Sequence, residues 1–204
     1  MLEDSDLTIF IGVTNSCNDR VIADVQKCCQ KLTTLNTNGG RALLAKEDNS
    51  NFQLADYVVT AEYSDIFITN NSNDYKVRLS NENQLNELLY AITSSWFLAN
   101  LVGHDYADYA SCLKVSDSLQ LDIIDIDNSD DLSAFLSAKV LNEPLTAITC
   151  NIEAVESNLT LEWFEKVGNV LKPFVDGETY FVMSMSSKPI QQPKSKVYIT
   201  YFYK

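Results

Sequence analysis

Residues 7–13 (LTIFIGV) are an almost unbroken apolar run, and residues 21–32 (VIADVQKCCQKL) follow after a turn-forming stretch, TNSCND. The first reads as a buried strand, because a strand covered on both faces needs no alternation. The second carries Val21, Val25, Cys28, Cys29 and Leu32 at the spacing of one helix face, with polar residues opposite. A buried strand feeding an amphipathic helix opens an α/β fold, and the chain goes on alternating in this way.

Residues 41–45 (RALLA) and 65–69 (DIFIT) read as strands, residues 52–63 as a helix and residues 70–74 as a polar loop. Residues 83–101 give the longest helical signal, with Leu85, Leu88, Leu89, Ile92, Trp96, Leu98, Ala99 and Leu101. They spread over much of the circumference, which predicts a buried helix, and Gly103 is placed to end it. A short helix to about residue 115 follows. In the last third, residues 119–126, 145–152, 179–185 and 196–202 read as strands, the last two joined by a Pro-containing loop. Residues 130–141 and 160–174 read as helices, capped by Ser129 or Asp130 and by Thr160. The order is βαβαβ, a long helix, then β-α-β-α-β-β. The expected segments are residues 1–79, 80–116 and 117–204.

Composition removes several function classes. The chain has 204 residues and a net charge of −13, which opposes a nonspecific grip on nucleic acid or an anionic membrane. No apolar run reaches the roughly 18 residues of a membrane helix. The start, MLEDSDLTIF, lacks the basic and long apolar regions of a signal peptide, so a cytoplasmic protein is expected. Five cysteines, an odd number without CxxC, read as reduced thiols. A single histidine, His104, gives a closed zinc site little support, and no metal is expected. Asp122, Asp125, Asp127, Asp130 and Asp131 lack the glycine and final glutamate of a calcium loop, and read as a solvated edge and helix start. Tyr198, Tyr201, Phe202 and Tyr203 read as strand packing. A Cys112–His104 nucleophile pair has no supporting pattern.

Several short motifs, in order, resemble FtsZ, the bacterial tubulin homologue. Residues 2–7 (LEDSDL) are similar to the family's LEDADM. Asp105-Tyr106-Ala107-Asp108 resembles its DFAD, and Asn151-Ile152 followed by Leu159-Thr160-Leu161-Glu162 resembles NITAG and the next helix start. Val167-Gly168-Asn169 resembles a VGN in that helix, and residues 197–200 (VYIT) sit where the family has VTVVATG. The resemblance implies a tubulin/FtsZ-like α/β fold: a partial parallel nucleotide-type sheet, a long central helix, then a C-terminal α/β domain with a mixed sheet.

One departure is chemical. The family's phosphate loop, GGGTGTG, should follow the first strand, where this chain reads Thr14-Asn15-Ser16-Cys17-Asn18-Asp19-Arg20. Glycines let backbone N–H groups close on phosphate and adopt positive φ, whereas Asp19 adds negative charge. The family's first three strands also lack a counterpart, so the strand at residues 7–13 is expected at a sheet edge. No cofactor is expected, and GTP enters only if the chain is a divergent part of an active GTPase.

Other site residues come through the resemblance. Asn83 falls where the family contacts guanine; it also suits an ordinary helix start. Asp105 and Asp108 match the acids of the synergy loop, which in the family enters the next subunit's nucleotide pocket and polarises water. Both also suit the first turn of a helix through its dipole. Gly103 stands where the family has Asn, and Gly103, His104, Asp105 and Asp108 make the expected partner face. A retained acidic loop beside a lost phosphate loop implies an FtsZ-like protein that binds a polymerising FtsZ-like or tubulin-like subunit and modulates or caps its assembly. The alternatives are part of a filament-forming GTPase, or a scaffold that self-assembles without nucleotide.

Overall fold

The computed structural model describes residues 8–35, 41–48, 50–62, 65–70, 72, 74–98, 100–103, 106–139, 141, 143–187 and 194–204. The chain divides into two compact units, Met1–Leu98 and Ala99–Lys204.

In the first unit, β1 (Thr8–Val13) leads into α1 (Asp19–Leu35). Asn18 caps the helix, its side-chain oxygen accepting the Val21 N–H at 3.0 Å. The five buried residues of α1 are Val21, Val25, Cys28, Cys29 and Leu32, the face its spacing predicts. β2 (Arg41–Lys46), β3 (Tyr57–Glu62), β4 (Asp65–Thr69) and β5 (Lys76–Leu79) follow, with a 3₁₀ turn at Ser50–Leu54. Strand order is β2-β1-β3-β4-β5. β1 runs parallel to β2 and β3; β3, β4 and β5 form an antiparallel meander.

Two expectations are corrected together. Residues 52–62 are not a helix: they split into the end of the 3₁₀ turn and β3, and Tyr63 lies outside the described residues. β1 is not an edge, because β3 covers its second side in the register Ile11↔Tyr57, Gly12↔Val58, Val13↔Val59. The cause is the run Tyr57-Val58-Val59, aromatic and β-branched and fully buried, which gains pairing on both flanks as a strand. Gly12 allows the preceding turn to lie on β1; a Cβ there would come within 3.0 Å of Phe52 and 3.1 Å of Ala55. Asp56 anchors the same junction by accepting the Phe10 N–H at 3.0 Å.

The long helix α2 spans Leu85–Phe97, after a 3₁₀ turn at Glu82–Gln84 capped by Asn81. Nearly all its side chains are buried, as predicted, and it packs against α1. Tyr57 of β3 stacks parallel to Trp96, centroids 6.1 Å apart. The helix ends earlier than expected and not at Gly103: Leu98 turns extended, with ψ 154°.

In the second unit, Asn100–Val102 form β6, which pairs with β9 (Tyr180–Ser187). Ladder bonds to β9 replace the helical bonds that residues 100–102 would otherwise make. α3 (Tyr106–Lys114), β7 (Ser118–Ile126), α4 (Ser129–Ser137), β8 (Leu145–Ala154), α5 (Leu161–Leu171) and β10 (Ser195–Tyr203) complete it. Strand order is β7-β10-β8-β9-β6, with β8 and β9 parallel and the other pairs antiparallel, so the sheet is mixed. Alternate residues of β8 and β10 face opposite ways. Ile148, Cys150, Ile152, Val197, Ile199 and Tyr201 join Leu132, Leu136, Trp163, Val167 and Leu171 of α4 and α5 in one core. Tyr109 of α3 meets the other face, bonding Thr149 at 2.7 Å and touching Phe202 edge-on.

The caps differ in part from expectation. Thr160 caps α5 through the Trp163 N–H at 3.1 Å. At α4 the cap is Asn128, not Ser129 or Asp130, and Asp131 completes a capping box.

Candidate functional site

In a parallel sheet, ligand-handling groups gather at the carboxyl ends of strands. Here that end is the turn from β1 to α1. Thr14 donates its N–H to Val59 O at 3.1 Å, and Cys17 N–H bonds Thr14 O at 3.1 Å. Asn15 N–H donates to the Glu47 carboxylate at 2.7 Å, from the residue just past β2. Ser16 Oγ accepts the Ala61 N–H at 3.1 Å and bonds Thr14 Oγ1 at 2.7 Å. The Cys17 thiol donates to Val59 O at 3.3 Å, and burial raises its pKa. Three amides of the turn are thus engaged by the chain itself, and a carboxylate stands on one of them.

Beside the turn is a cleft of about 400 Å³. The hydroxyl-bearing Thr14, Ser16, Thr60 and Thr69 line it, with Glu47, Glu62 and Lys76. Lys76 pairs with Glu62. A phosphate cradle needs converging, unused N–H groups and positive potential. This turn offers used amides, the Glu47 carboxylate and Asp19 in the first turn of α1. Sequence reasoning singled out Asp19 and Arg20 but missed Glu47, whose signal is its place at the end of the strand paired with β1.

Asn83, the guanine candidate, is exposed in the 3₁₀ turn. Its side-chain oxygen accepts from the Arg20 guanidinium, and its N–H donates to Asn81 at 3.1 Å. The fold therefore brings Arg20 and Asn83 together. Asp108 is exposed in the first turn of α3, a position the helix dipole favours. Gly103 is exposed just after β6, and its nearest would-be Cβ neighbour is Asn100 at 3.4 Å, so side chains fit there. His104 and Asp105 lie outside the described residues.

The acidic set of β7 and α4 is dispersed among separate duties. Asp122 pairs with Lys139, which lies 4.1 Å from the Tyr201 ring centroid. Asp127 pairs with Lys194 at 2.7 Å. Asp131 accepts the Asp127 and Asn128 N–H groups, which hold its carboxyl below the usual range. Among the described residues no three metal-ligating side chains of the Cys, His, Asp and Glu types cluster. All five cysteines are buried; burial pushes Cys29 and Cys112 to about 12, with Asp108 adding to the shift at Cys112. No helix among the described residues is long and apolar enough to cross a membrane.

No family model and no curated protein matches the sequence. Solved structures do. An FtsZ mutant from M. jannaschii is 14% identical over 59% of this chain and 38% of its own, with a TM-score of 0.50. TubZ from Bacillus thuringiensis serovar israelensis, in a protofilament, is 12% identical over 97% of this chain and 53% of its own, with a TM-score of 0.41. CetZ from Methanosaeta thermophila is 9% identical over 98% of this chain and 62% of its own, at 0.42. This chain spans less than two thirds of the length of each. The matched FtsZ structure, together with the parallel strands, buried α2 and mixed second sheet, gives the chain an FtsZ/tubulin-like fold.

Proposed function

We propose that this chain is an FtsZ/tubulin-like protein that does not hold GTP phosphates at its β1–α1 turn. It binds a polymerising FtsZ-like or tubulin-like subunit through Gly103, His104, Asp105 and Asp108, and caps or modulates that subunit's assembly. The observation that carries the reading is the Glu47 carboxylate on the Asn15 N–H, where a phosphate cradle would need a free donor. A subunit with a usable acidic face and no nucleotide face adds to one filament end and stops growth there. The exposed Asp108 on α3 is compatible with that contact.

Sedimentation of FtsZ with GTP, with and without this protein, tests the reading. Polymer yield or GTP turnover changes at substoichiometric ratios. Asp108→Ala abolishes the change while leaving the far-ultraviolet circular dichroism intact. No effect of the unmodified protein on either readout overturns the proposal.

A further inference from the structure

β2 closes one end of the first unit's strand order, and among the described residues no strand pairs with its outer side. Its main-chain groups can be assigned by parity. In a parallel pair, each residue presents its N–H and C=O to the same side, and sides alternate along the strand. Glu47 N–H bonds Val13 O of β1, so odd-numbered residues face inward. Ala42 confirms the other set: its N–H and C=O both meet the Thr33 hydroxyl of α1, at 3.2 and 3.3 Å. Thr33 covers the first outward rung. Among the described residues, no side chain covers the outward groups of Leu44 and Lys46 in this way.

Alongside this edge runs a groove of about 600 Å³. Gln26, Cys29, Gln30 and Thr33 of α1 form one wall; Ala42 and Leu44 of β2 form the other. Leu43 is 42% exposed, a large apolar side chain on an open strand. A helix beside an uncovered edge strand is the geometry in which extended peptides add by main-chain pairing, with alternate side chains entering the groove. Charge defines the guest. On a chain of net charge −13, this strand carries Arg41 and Lys46 at its two ends, both exposed and with no ion-pair partner among the described residues.

We propose that the β2 edge and the α1 groove bind an extended segment of a partner protein, apolar at alternate positions and acidic at both ends. The segment pairs with the outward groups of Leu44 and Lys46, and its acids meet Arg41 and Lys46. This site is independent of the β1–α1 turn and of the Asp108 face.

The test uses two blocked synthetic peptides on the full chain, Glu-Val-Thr-Val-Thr-Glu, whose two acids lie on opposite faces of a strand as Arg41 and Lys46 do, and the same peptide with lysine at both ends, each titrated by fluorescence anisotropy. The acidic peptide binds at least about tenfold tighter. Its addition slows amide hydrogen exchange at Leu44 and Lys46 in the unaltered protein. Lys46→Glu narrows or reverses the preference, and Leu44→Pro, which removes an outward N–H only, abolishes binding. Equal binding of both peptides overturns the proposal. So does failure of either to bind, the result for an edge whose basic ends merely keep other strands away. Self-association that protects the same two amides without peptide also overturns it, by giving the edge to a second copy.

Discussion

Gly12→Ala is the sharpest physical probe of the rearranged first sheet. Gly12 lies in ordinary extended backbone, so alanine meets no conformational barrier there, and any cost comes from contact. An added Cβ would stand 3.0 and 3.1 Å from two ring carbons of Phe52 and 3.1 Å from the Ala55 Cβ. Phe52 is half-buried and can shift, but Ala55 is fixed: its N–H bonds Phe52 O at 3.1 Å, and Asp56 N–H bonds Phe10 O at 2.9 Å. Overpacking of this kind costs about 1–3 kcal/mol, and the lost backbone entropy of glycine in the unfolded chain returns about 0.4–1 kcal/mol. The net expectation is a loss of about 1–2 kcal/mol, or a fall of roughly 0.5–1 M in the urea midpoint. Trp96 belongs to the first unit and Trp163 to the second, so a Trp163→Phe background makes Trp96 fluorescence the reporter. Phe52→Ala removes the closer of the two obstacles. In that background Gly12→Ala should cost about 1 kcal/mol less, a coupling that a double-mutant cycle resolves. A neutral or stabilising Gly12→Ala in both backgrounds refutes the packing of this turn on β1, and with it the explanation of how β3 reaches the flank of β1.

Other consequences are as direct. Tyr109→Phe leaves the buried Thr149 hydroxyl without its 2.7 Å partner and should cost about 1–2 kcal/mol in urea unfolding; Thr149→Val made alongside it recovers part of that loss. Asn128→Ala removes the α4 cap and should cost about 1 kcal/mol. Asp131, whose folded pKa is lowered by the Asp127 and Asn128 N–H groups, stabilises the fold at pH values above the ordinary aspartate range. That stability is lost as pH falls through the lowered folded value, so Asp131→Asn should flatten the acid limb of a stability–pH curve and leave its alkaline limb unchanged. The five buried thiols should resist iodoacetamide in native buffer at pH 8 and all react in urea, as read by mass spectrometry; rapid native labelling contradicts their burial.

Legibility varied with how local the determining forces are. The buried face of α1 was readable to the residue, because five apolar side chains at helical spacing face one core, although the helix runs over Asp19–Leu35 and not only residues 21–32. Strands β7, β8, β9 and β10 of the second unit were readable because their β-branched and aromatic residues pack on the unit's core and pair with neighbouring strands. Residues 52–62 were misread because Phe52, Ala55, Val58 and Val59 fit a helical period as well as a strand. The deciding factor was pairing with β1 and β4, a contact distant in sequence. The end of α2 was misread for the same reason: β9, some eighty positions on, takes residues 100–102 as a strand. β5 passed unnoticed although Lys76-Val77-Arg78-Leu79 alternates exposed and buried, because four residues give a weak periodic signal. At the candidate site, the missing glycines were plain in the sequence, whereas Glu47 on Asn15 required knowing that β2 lies beside β1.

The most direct measurement is a calorimetric titration of GTP into the purified chain, at magnesium concentrations that support FtsZ assembly. With three of the turn's amides engaged and a carboxylate on Asn15, no binding heat is expected up to millimolar GTP, and Glu47→Ala alone should not create any, because the turn still lacks the glycines a cradle needs. Saturable binding at micromolar GTP contradicts the reading and makes the chain part of a nucleotide-binding protein.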